Sequence, residues 1–188
     1  MKKILIGVTG ASGSIYAKIL INKILEKKQV QIGLIFSENG KKVWLYELEE
    51  DPILKYKGYQ NILIYDNTNL FSEPASGSSN YDSMVIIPCT MCTIGKIANG
   101  IADNLIVRAA DVFLKEKKTL ILVFREMPLN YIHLKNLVEI SRASGIIMPA
   151  SPSFYFKPKS IEDLVCTVVD KVLIKLGLQE PKSWINNY

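Results

Sequence analysis

Near its start the chain reads Ile4-Leu-Ile-Gly-Val8 and then Thr9-Gly-Ala-Ser-Gly13. The apolar run has the length of a buried strand, and the small residues after it are typical of a tight turn. Beyond the turn, apolar residues recur at the spacing of one helical face: Ile15, Ile19, Leu20, Ile24 and Leu25. A strand, a turn and a helix in this order predict the first unit of an α/β fold.

The same alternation continues along the chain. Further strands are predicted at Val30–Phe36, Ile62–Tyr65, Met84–Ile87, Leu120–Phe124 and Ile146–Met148. Helical spacing predicts helices over Lys41–Leu48, Leu105–Phe113, Tyr131–Ser144 and Ile161–Leu176. The last helix follows Ser160-Ile-Glu-Asp163, which resembles a capping box, and Gly177 is its expected stop. This order predicts a three-layer α/β/α fold with a doubly wound, mostly parallel sheet.

Composition supports one folded domain, since 48% of the 188 residues are hydrophobic and 22% are charged. We expect this domain to span residues 1–177 and the tail, residues 178–188, to contact a neighbouring subunit. The net charge is +5, but the lysines occur in scattered pairs, so no nucleic-acid partner is expected. Three cysteines do not make a disulfide framework, and the first apolar run is too short to span a membrane. A cytoplasmic protein is therefore expected.

Polar segments follow four of the predicted strands: Thr9–Gly13, Ser37, Pro88–Thr93 and Arg125–Glu126. Ligands of a doubly wound sheet bind beyond the carboxyl ends of its strands, so we expect all four segments to face one crevice. Thr9–Gly13 also opens a helix, whose free N–H groups and partial positive charge suit a phosphate. Taken alone, that segment is also consistent with a tight turn that binds nothing.

Cys89-x-x-Cys92 raises the question of a metal or redox site. With only Cys166 and His133 as further candidates, the ligands are too few and too distant for structural zinc, and thiol redox chemistry is also disfavoured. We expect no metal, and a segment that offers hydroxyl and N–H groups to a ligand. Arg125–Glu126 after a buried strand would be partly desolvated, and a phosphate would satisfy the charge.

A series of short motifs, in order from Lys3 to about Gly177, resembles the UbiX flavin prenyltransferase family: Thr9-Gly-Ala-Ser-Gly13, Pro74-Ala-Ser-Gly-Ser78, Asp103-Asn-Leu, Arg108-Ala-Ala-Asp-Val112, Leu114-Lys-Glu116, Arg125-Glu-Met-Pro-Leu129, His133-Leu, and Met148-Pro-Ala to Phe154-Tyr155. The series is specific, although no single motif is. The resemblance implies a flavodoxin-like or Rossmann-like fold and a dodecamer with sites shared between subunits. It also implies metal-independent transfer of a dimethylallyl group from dimethylallyl phosphate to N5 and C6 of reduced FMN. The product would be the prenylated FMN used by UbiD-type decarboxylases.

Matching positions of the family imply the site residues. FMN would be held by Gly10, Ala11, Ser12, Ser37, Thr90, Met91, Cys92, Thr93 and Arg125. Dimethylallyl phosphate would be surrounded by Arg108, Lys115, Glu126, Tyr155 and Lys171, with Glu47 arriving from a neighbouring subunit. The implied catalytic residues are Ser12, Glu47, Lys115 and Glu126.

The chemistry suits these residue types. Fixed cations stabilise the negative charge that develops as phosphate leaves an allylic carbon. Glu126 is the candidate for proton transfer to or from the phosphate, and Ser12 for a hydrogen bond near flavin N5. The aromatic face of Tyr155, or of Trp184 in the tail, could shelter an allyl cation.

Two departures from the family pattern concern ligand affinity. Lys171 stands where the family often has arginine, which replaces a bidentate phosphate contact by a point charge. Thr90 and Cys92 stand in a flavin loop that commonly has serine at the first position and lysine or glycine at the second.

Three other functions remain as alternatives. A related FMN-dependent Cys-decarboxylase typically carries a catalytic histidine in the helix after the second strand, and Lys41–Leu48 contains none. A non-catalytic FMN carrier would not need the phosphate-pocket residues. A nicotinamide oxidoreductase is disfavoured because Gly7, Gly10 and Gly13 are spaced three apart, unlike the dinucleotide fingerprint.

Overall fold

The computed structural model describes residues 1–27 and 29–181. Within them, six strands form one parallel sheet: β1 (Lys2–Val8), β2 (Val30–Phe36), β3 (Ile62–Asp66), β4 (Ser83–Cys89), β5 (Thr119–Phe124) and β6 (Ile146–Pro149). The strand order is β3-β2-β1-β4-β5-β6. All six predicted strands are confirmed, because strands buried on both faces appear in a sequence as short, continuous apolar runs.

Seven helices connect or flank these strands in the described residues: α1 (Ser14–Leu25), α2 (Glu38–Leu48), α3 (Pro52–Tyr56), α4 (Met91–Ala98), α5 (Leu105–Lys115), α6 (Tyr131–Arg142) and α7 (Ile161–Lys175). A 3-10 turn covers Glu73–Ala75. The predicted helix after β1 is confirmed as α1. The four helices predicted later in the chain are confirmed as α2, α5, α6 and α7. Neither α3 nor α4 was predicted, because each is too short to show a clear apolar period.

Pro88 was expected to end its strand, but it lies within β4. Pairing with β5 continues to Cys89, and the register shifts between Ile86 and Cys89. Proline has no N–H to donate to the neighbouring strand. Its position in a central strand therefore explains why the pairing is irregular here.

The helices cover both faces of the sheet in two apolar layers. On one face α1, α7 and Trp44 of α2 pack against Ile4, Ile6 and Val8. On the other face α4, α5 and α6 pack against Leu5 and its neighbours. The predicted three-layer, doubly wound α/β/α fold is confirmed, with the Rossmann-like strand order. Winding reverses between β1 and β4, so the switch point lies beside the turn that follows β1.

The first turn of α2 lies very close to the end of β1. A Cβ added to Gly10 would lie 2.6 Å from Cβ of Asn39. A Cβ added to Gly40 would lie 2.5 Å from the carbonyl oxygen of Val8. Both positions therefore need glycine, and the close approach places α2 against the β1–α1 turn.

The C-terminal helix is capped as its sequence predicts. Ser160 Oγ accepts a hydrogen bond from the Asp163 amide at 3.0 Å, and Asp163 Oδ2 accepts one from the Ser160 amide at 3.1 Å. Gly177 follows with φ 65°, a conformation that favours glycine. Most of the predicted tail, including Trp184, lies outside the described residues. In the part of the chain that the structure describes, no helix is both long and apolar enough to cross a membrane.

Candidate functional site at the carboxyl edge of the sheet

The ends of β1 and β4 are joined by the hydroxyl of Thr9. Thr9 is buried, its Oγ1 donates to the carbonyl oxygen of Pro88 at 2.8 Å, and it accepts from the Thr90 amide at 2.9 Å. Strand pairing alone would allow the two loops to diverge beyond the sheet. These bonds instead hold them side by side at the switch point.

The two remaining polar segments meet the same edge from either side. The Ser37 amide donates to the carbonyl oxygen of Val8 at 2.9 Å, which places the start of α2 beside the β1–α1 turn. From the other side, Arg125 Nε donates to the carbonyl oxygen of Ser12 at 3.3 Å. The predicted convergence of all four segments on one edge of the sheet is therefore confirmed.

Two helices begin at this edge with side-chain caps. Ser37 Oγ accepts from the Gly40 amide at 3.0 Å, and Thr90 Oγ1 accepts from the Thr93 amide at 3.1 Å. The amides of Met91 and Cys92, in the first turn of α4, have no intrahelical acceptor. Helix N-termini, hydroxyl groups and a guanidinium at one edge form a donor set that suits a phosphate.

The N-terminus of α1 is occupied by the carboxylate of Glu47. Glu47 Oε2 accepts from the amides of Gly13 at 3.0 Å and Ser14 at 2.7 Å, and Oε1 accepts from Gly13 at 3.0 Å. Burial by itself raises the pKa of Glu47, but hydrogen bonds from the Ser12 hydroxyl and from these amides outweigh it and leave the pKa lowered. Glu47 is thus an anion that orders the turn.

Glu47 has a defined contact within its own chain, where its carboxylate binds the β1–α1 turn. The contribution of Glu47 to a neighbouring subunit's site, which the resemblance implied, stays a prediction. The sequence did not reveal this contact, because it depends on the close packing of α2 against the end of β1.

Arg125 and Glu126 were expected to be partly desolvated, and of the two this is wrong for Arg125. Arg125 is exposed and Glu126 is half-buried. Glu126 Oε1 accepts from the Met127 amide at 3.1 Å, and within the described residues it forms no ion pair with Arg125. Strand β5 ends at Phe124, so both side chains already lie outside the apolar layers.

The cysteines of the Cys89-x-x-Cys92 motif have different surroundings. Cys89 is buried, and burial raises the pKa of its thiol, which disfavours the reactive thiolate. Cys92 is exposed at the start of α4. Across the described ranges, no group of three or more histidine, cysteine or acidic residues could hold a metal ion. His133 instead completes the cap of α6: Asn130 Oδ1 accepts from the His133 amide at 2.9 Å, and His133 Nδ1 accepts from the Asn130 amide at 3.5 Å.

The residues expected around the prenyl phosphate form two separate groups. Arg108 and Lys115 lie on α5, and Lys115 pairs with Glu116. Tyr155 and Lys171 line a groove of about 840 Å³ between the end of β6, the segment after it and α7. Because α5 and α7 cover opposite faces of the sheet, a single chain does not bring the two groups together.

Sequence reasoning missed how two loops of this region are held. The amide of Ser153 donates to Thr167 Oγ1 at 3.0 Å, which fixes the wall of the groove to α7. Arg108 Nε donates to the carbonyl oxygen of Ala75 at 3.2 Å, which places the Pro74–Ser78 loop beside α5. No local sequence pattern predicts either contact. The one related signal is the family motif at 74–78, which marks the loop but not its hydrogen bond to Arg108.

Comparison with known proteins agrees with this geometry. The chain matches the family model described as Flavoprotein over residues 1–173. A curated relative, the flavin prenyltransferase UbiX of Methanocaldococcus jannaschii, is 42% identical over 186 residues, which cover 97% of this chain and 98% of that protein. The chain belongs to the UbiX flavin prenyltransferase family.

Solved structures of the UbiX family share the fold along nearly the whole chain. AnUbiX (PadA1), in complex with FMN and dimethylallyl pyrophosphate, aligns with a TM-score of 0.89 at 34% identity, over 97% of this chain and 98% of that one. A dodecameric FMN-dependent UbiX-like decarboxylase from Escherichia coli O157:H7 aligns with a TM-score of 0.91 at 35% identity, over 96% and 98%. The family resemblance therefore extends from sequence to structure.

Proposed function

We propose that this chain is a flavin prenyltransferase that transfers a dimethylallyl group from dimethylallyl phosphate to N5 and C6 of reduced FMN. The observation that carries the proposal is the meeting of Ser12 and Arg125 at the carboxyl edge, beside the capped starts of α2 and α4. Membership of the UbiX family supports the chemistry. The transfer needs no metal in this proposal.

The donor set of the edge fits FMN. Amides and hydroxyls at the starts of α2 and α4 suit its phosphate, and Arg125 adds a positive charge. We assign flavin binding to Gly10, Ala11, Ser12, Ser37, Thr90, Met91, Cys92, Thr93 and Arg125. Reduced FMN supplies the electron-rich N5 and C6 atoms that accept the prenyl group.

The donor site requires more than one subunit. Arg108 and Lys115 lie on one face of the sheet, and Tyr155 and Lys171 lie by α7 on the other. We propose that neighbouring copies bring these groups together around dimethylallyl phosphate, in a homo-oligomer. The dodecameric state described for the E. coli UbiX-like protein supports a dodecamer here as well. Contact of the tail, residues 178–188, with a neighbour is part of the same proposal.

Each residue then has a physical role. Arg108, Lys115 and Lys171 stabilise the charge that develops on the departing phosphate. Glu126, half-buried and free of an ion pair with Arg125 within the described chain, exchanges a proton with that phosphate. Glu47 holds the Ser12 hydroxyl and the turn that carries it, so Ser12 is oriented toward flavin N5. Tyr155 shelters positive charge on the allyl group.

The product has a defined use in this proposal. Prenylated FMN leaves the protein and serves a UbiD-type decarboxylase, as the family resemblance implies. We place the protein in the cytoplasm, where its free thiols at Cys89, Cys92 and Cys166 stay reduced.

The test is anaerobic incubation of the full chain with reduced FMN and dimethylallyl monophosphate, followed by mass spectrometry of the released flavin. We expect a flavin heavier by one prenyl unit, and none when FMN is oxidised or the donor is omitted. A flavin of unchanged mass would overturn the transferase assignment and favour a carrier. Formation of an enethiol from a cysteine-ended peptide would favour a Cys-decarboxylase.

A further inference from the structure

The 73–81 loop lies against α5 and touches both of its candidate phosphate ligands. Ala75 in this loop accepts the hydrogen bond from Arg108 Nε at 3.2 Å. A Cβ added to Gly77 would lie 2.8 Å from Lys115 Nζ, so the loop backbone directly adjoins the second cation. The position of the loop therefore affects where both cations point.

Arg108 has a defined orientation because of this loop. Its Nε is used by Ala75, and its Nη1 pairs with Asp111 Oδ2 at 2.7 Å. These two contacts fix the plane of the guanidinium and leave Nη2 as the remaining nitrogen for an anion. If the loop moved, the Nε contact would be lost and the plane could rotate about the bond to Asp111.

Lys118 holds the far end of the same loop. Its Nζ donates to the carbonyl oxygens of Ser79 at 2.7 Å and Tyr81 at 3.0 Å. It also lies 5.8 Å from the centroid of the Phe113 ring. In the described part of the chain no carboxylate forms an ion pair with it, so two carbonyl oxygens and a ring satisfy the ammonium. Hydrogen bonds from a charged donor are the stronger kind.

We infer that Lys118 is a positioning residue for the donor phosphate, because it fixes the 73–81 loop on α5 and thereby orients Arg108 and Lys115. The inference rests on the proposed function. Lys118 acts through the loop rather than on the phosphate, since its ammonium is directed at Ser79 and Tyr81. It thus determines the affinity for the phosphate end of the donor and leaves flavin binding unaffected.

The test compares Lys118→Met with the wild type in the anaerobic assay. Methionine keeps the apolar stem over Phe113 and removes the ammonium. We expect KM for dimethylallyl monophosphate to rise about tenfold, as for loss of one charge-assisted hydrogen bond, with little change in kcat. Lys118→Arg should restore most of the affinity, because arginine can still donate to both carbonyl oxygens. The matched control is Lys117→Met, which removes the same charge from an exposed neighbour.

Hydrogen–deuterium exchange gives a readout that does not depend on activity. Residues 73–81 should exchange faster in Lys118→Met than in the wild type or in Lys117→Met. An unchanged KM and unchanged exchange in Lys118→Met would overturn the inference, and so would an equal loss of FMN and donor affinity. If the wild type makes no prenylated flavin, the proposed function fails, and exchange alone decides whether Lys118 holds the loop.

Gly77→Ala provides a second variant in case Lys118→Met does not fold. The added methyl group would lie 2.8 Å from both Lys115 Nζ and Glu116 Oε1, so it would displace this flexible ion pair, and Lys115 with it, while Lys118 stays in place. We expect a raised KM for dimethylallyl monophosphate and unchanged FMN affinity. A wild-type KM in Gly77→Ala would show that the loop does not set the position of Lys115, which also overturns the inference.

Discussion

Arg125 Nε donates a hydrogen bond to the carbonyl oxygen of Ser12 at 3.3 Å, across a sequence separation of 113 residues. The bond joins the end of β5 to the turn after β1, so a guanidinium lies over a turn that also carries a hydroxyl. On the other side of that turn, Glu47 binds Gly13 and Ser14. The β1–α1 turn is therefore held from two sides.

Replacement of Arg125 by methionine should weaken FMN binding. The substitution removes a cation from the edge and its hydrogen bond to Ser12, and we expect the Kd for FMN to rise about tenfold or more. Titration of flavin fluorescence measures this. The control is Arg142→Met, since Arg142 is an exposed arginine of α6 that pairs with Glu139 at 3.2 Å. Equal FMN affinity in the two variants would contradict the assigned role of Arg125.

Replacement of Glu47 by glutamine should destabilise the protein in a pH-dependent way. The pKa of Glu47 is lowered by folding, so its contribution to stability is present above its ordinary pKa of 4.5 and is lost as pH falls through the folded value. Urea unfolding at a series of pH values measures the difference between wild type and Glu47→Gln. We expect a constant difference near neutral pH that shrinks in acid, and a difference that stays constant in acid would contradict this assignment.

Thr90 caps α4, and in the proposed function it also helps to bind FMN. Two variants distinguish the effect of its hydroxyl from the effect of its packing. Thr90→Val removes the hydroxyl that caps α4 and should lower stability by about 1 kcal/mol, as for loss of an N-cap. The same change should weaken FMN binding, because it disturbs the amides at the start of α4. Thr90→Ser keeps the hydroxyl and should stay close to the wild type in both thermal unfolding and flavin titration. Equal behaviour of the two variants would exclude the hydroxyl as the cause.

Glu126 is expected to affect turnover and not flavin affinity. Glu126→Gln keeps the shape but cannot exchange a proton, so kcat in the anaerobic assay should fall by about 100-fold while the Kd for FMN is unchanged. Glu139→Gln, a change of a partly exposed acid on α6, serves as the control. Full turnover by Glu126→Gln would remove this residue from the mechanism.

The sequence predicted the strands and the edge of the sheet that carry the site, because the patterns that indicate strands are local. Buried parallel strands are continuous apolar runs, and the topology rule then brings Thr9, Ser37, Thr90 and Arg125 to one edge. The helix α4 was missed, because its cap Thr90 and short length are typical of a loop as well.

Other features depend on packing that no local pattern records. Glu47 reaches the β1–α1 turn only because glycines at 10 and 40 let α2 approach β1. Arg108 on α5 and Lys171 on α7 are separated because these helices lie on opposite faces of the sheet. Matching positions of the family nevertheless imply that both residues surround dimethylallyl phosphate. Burial at the end of β5 was overestimated, since Arg125 extends over an open edge rather than into a core.

A crystal structure of the protein with FMN tests the central claim most directly. We predict that the flavin lies at the carboxyl edge, with its phosphate at the starts of α2 and α4 and with Arg125 and Ser12 beside the molecule. FMN bound elsewhere, such as in the groove by α7 and without contact to either residue, would contradict the account.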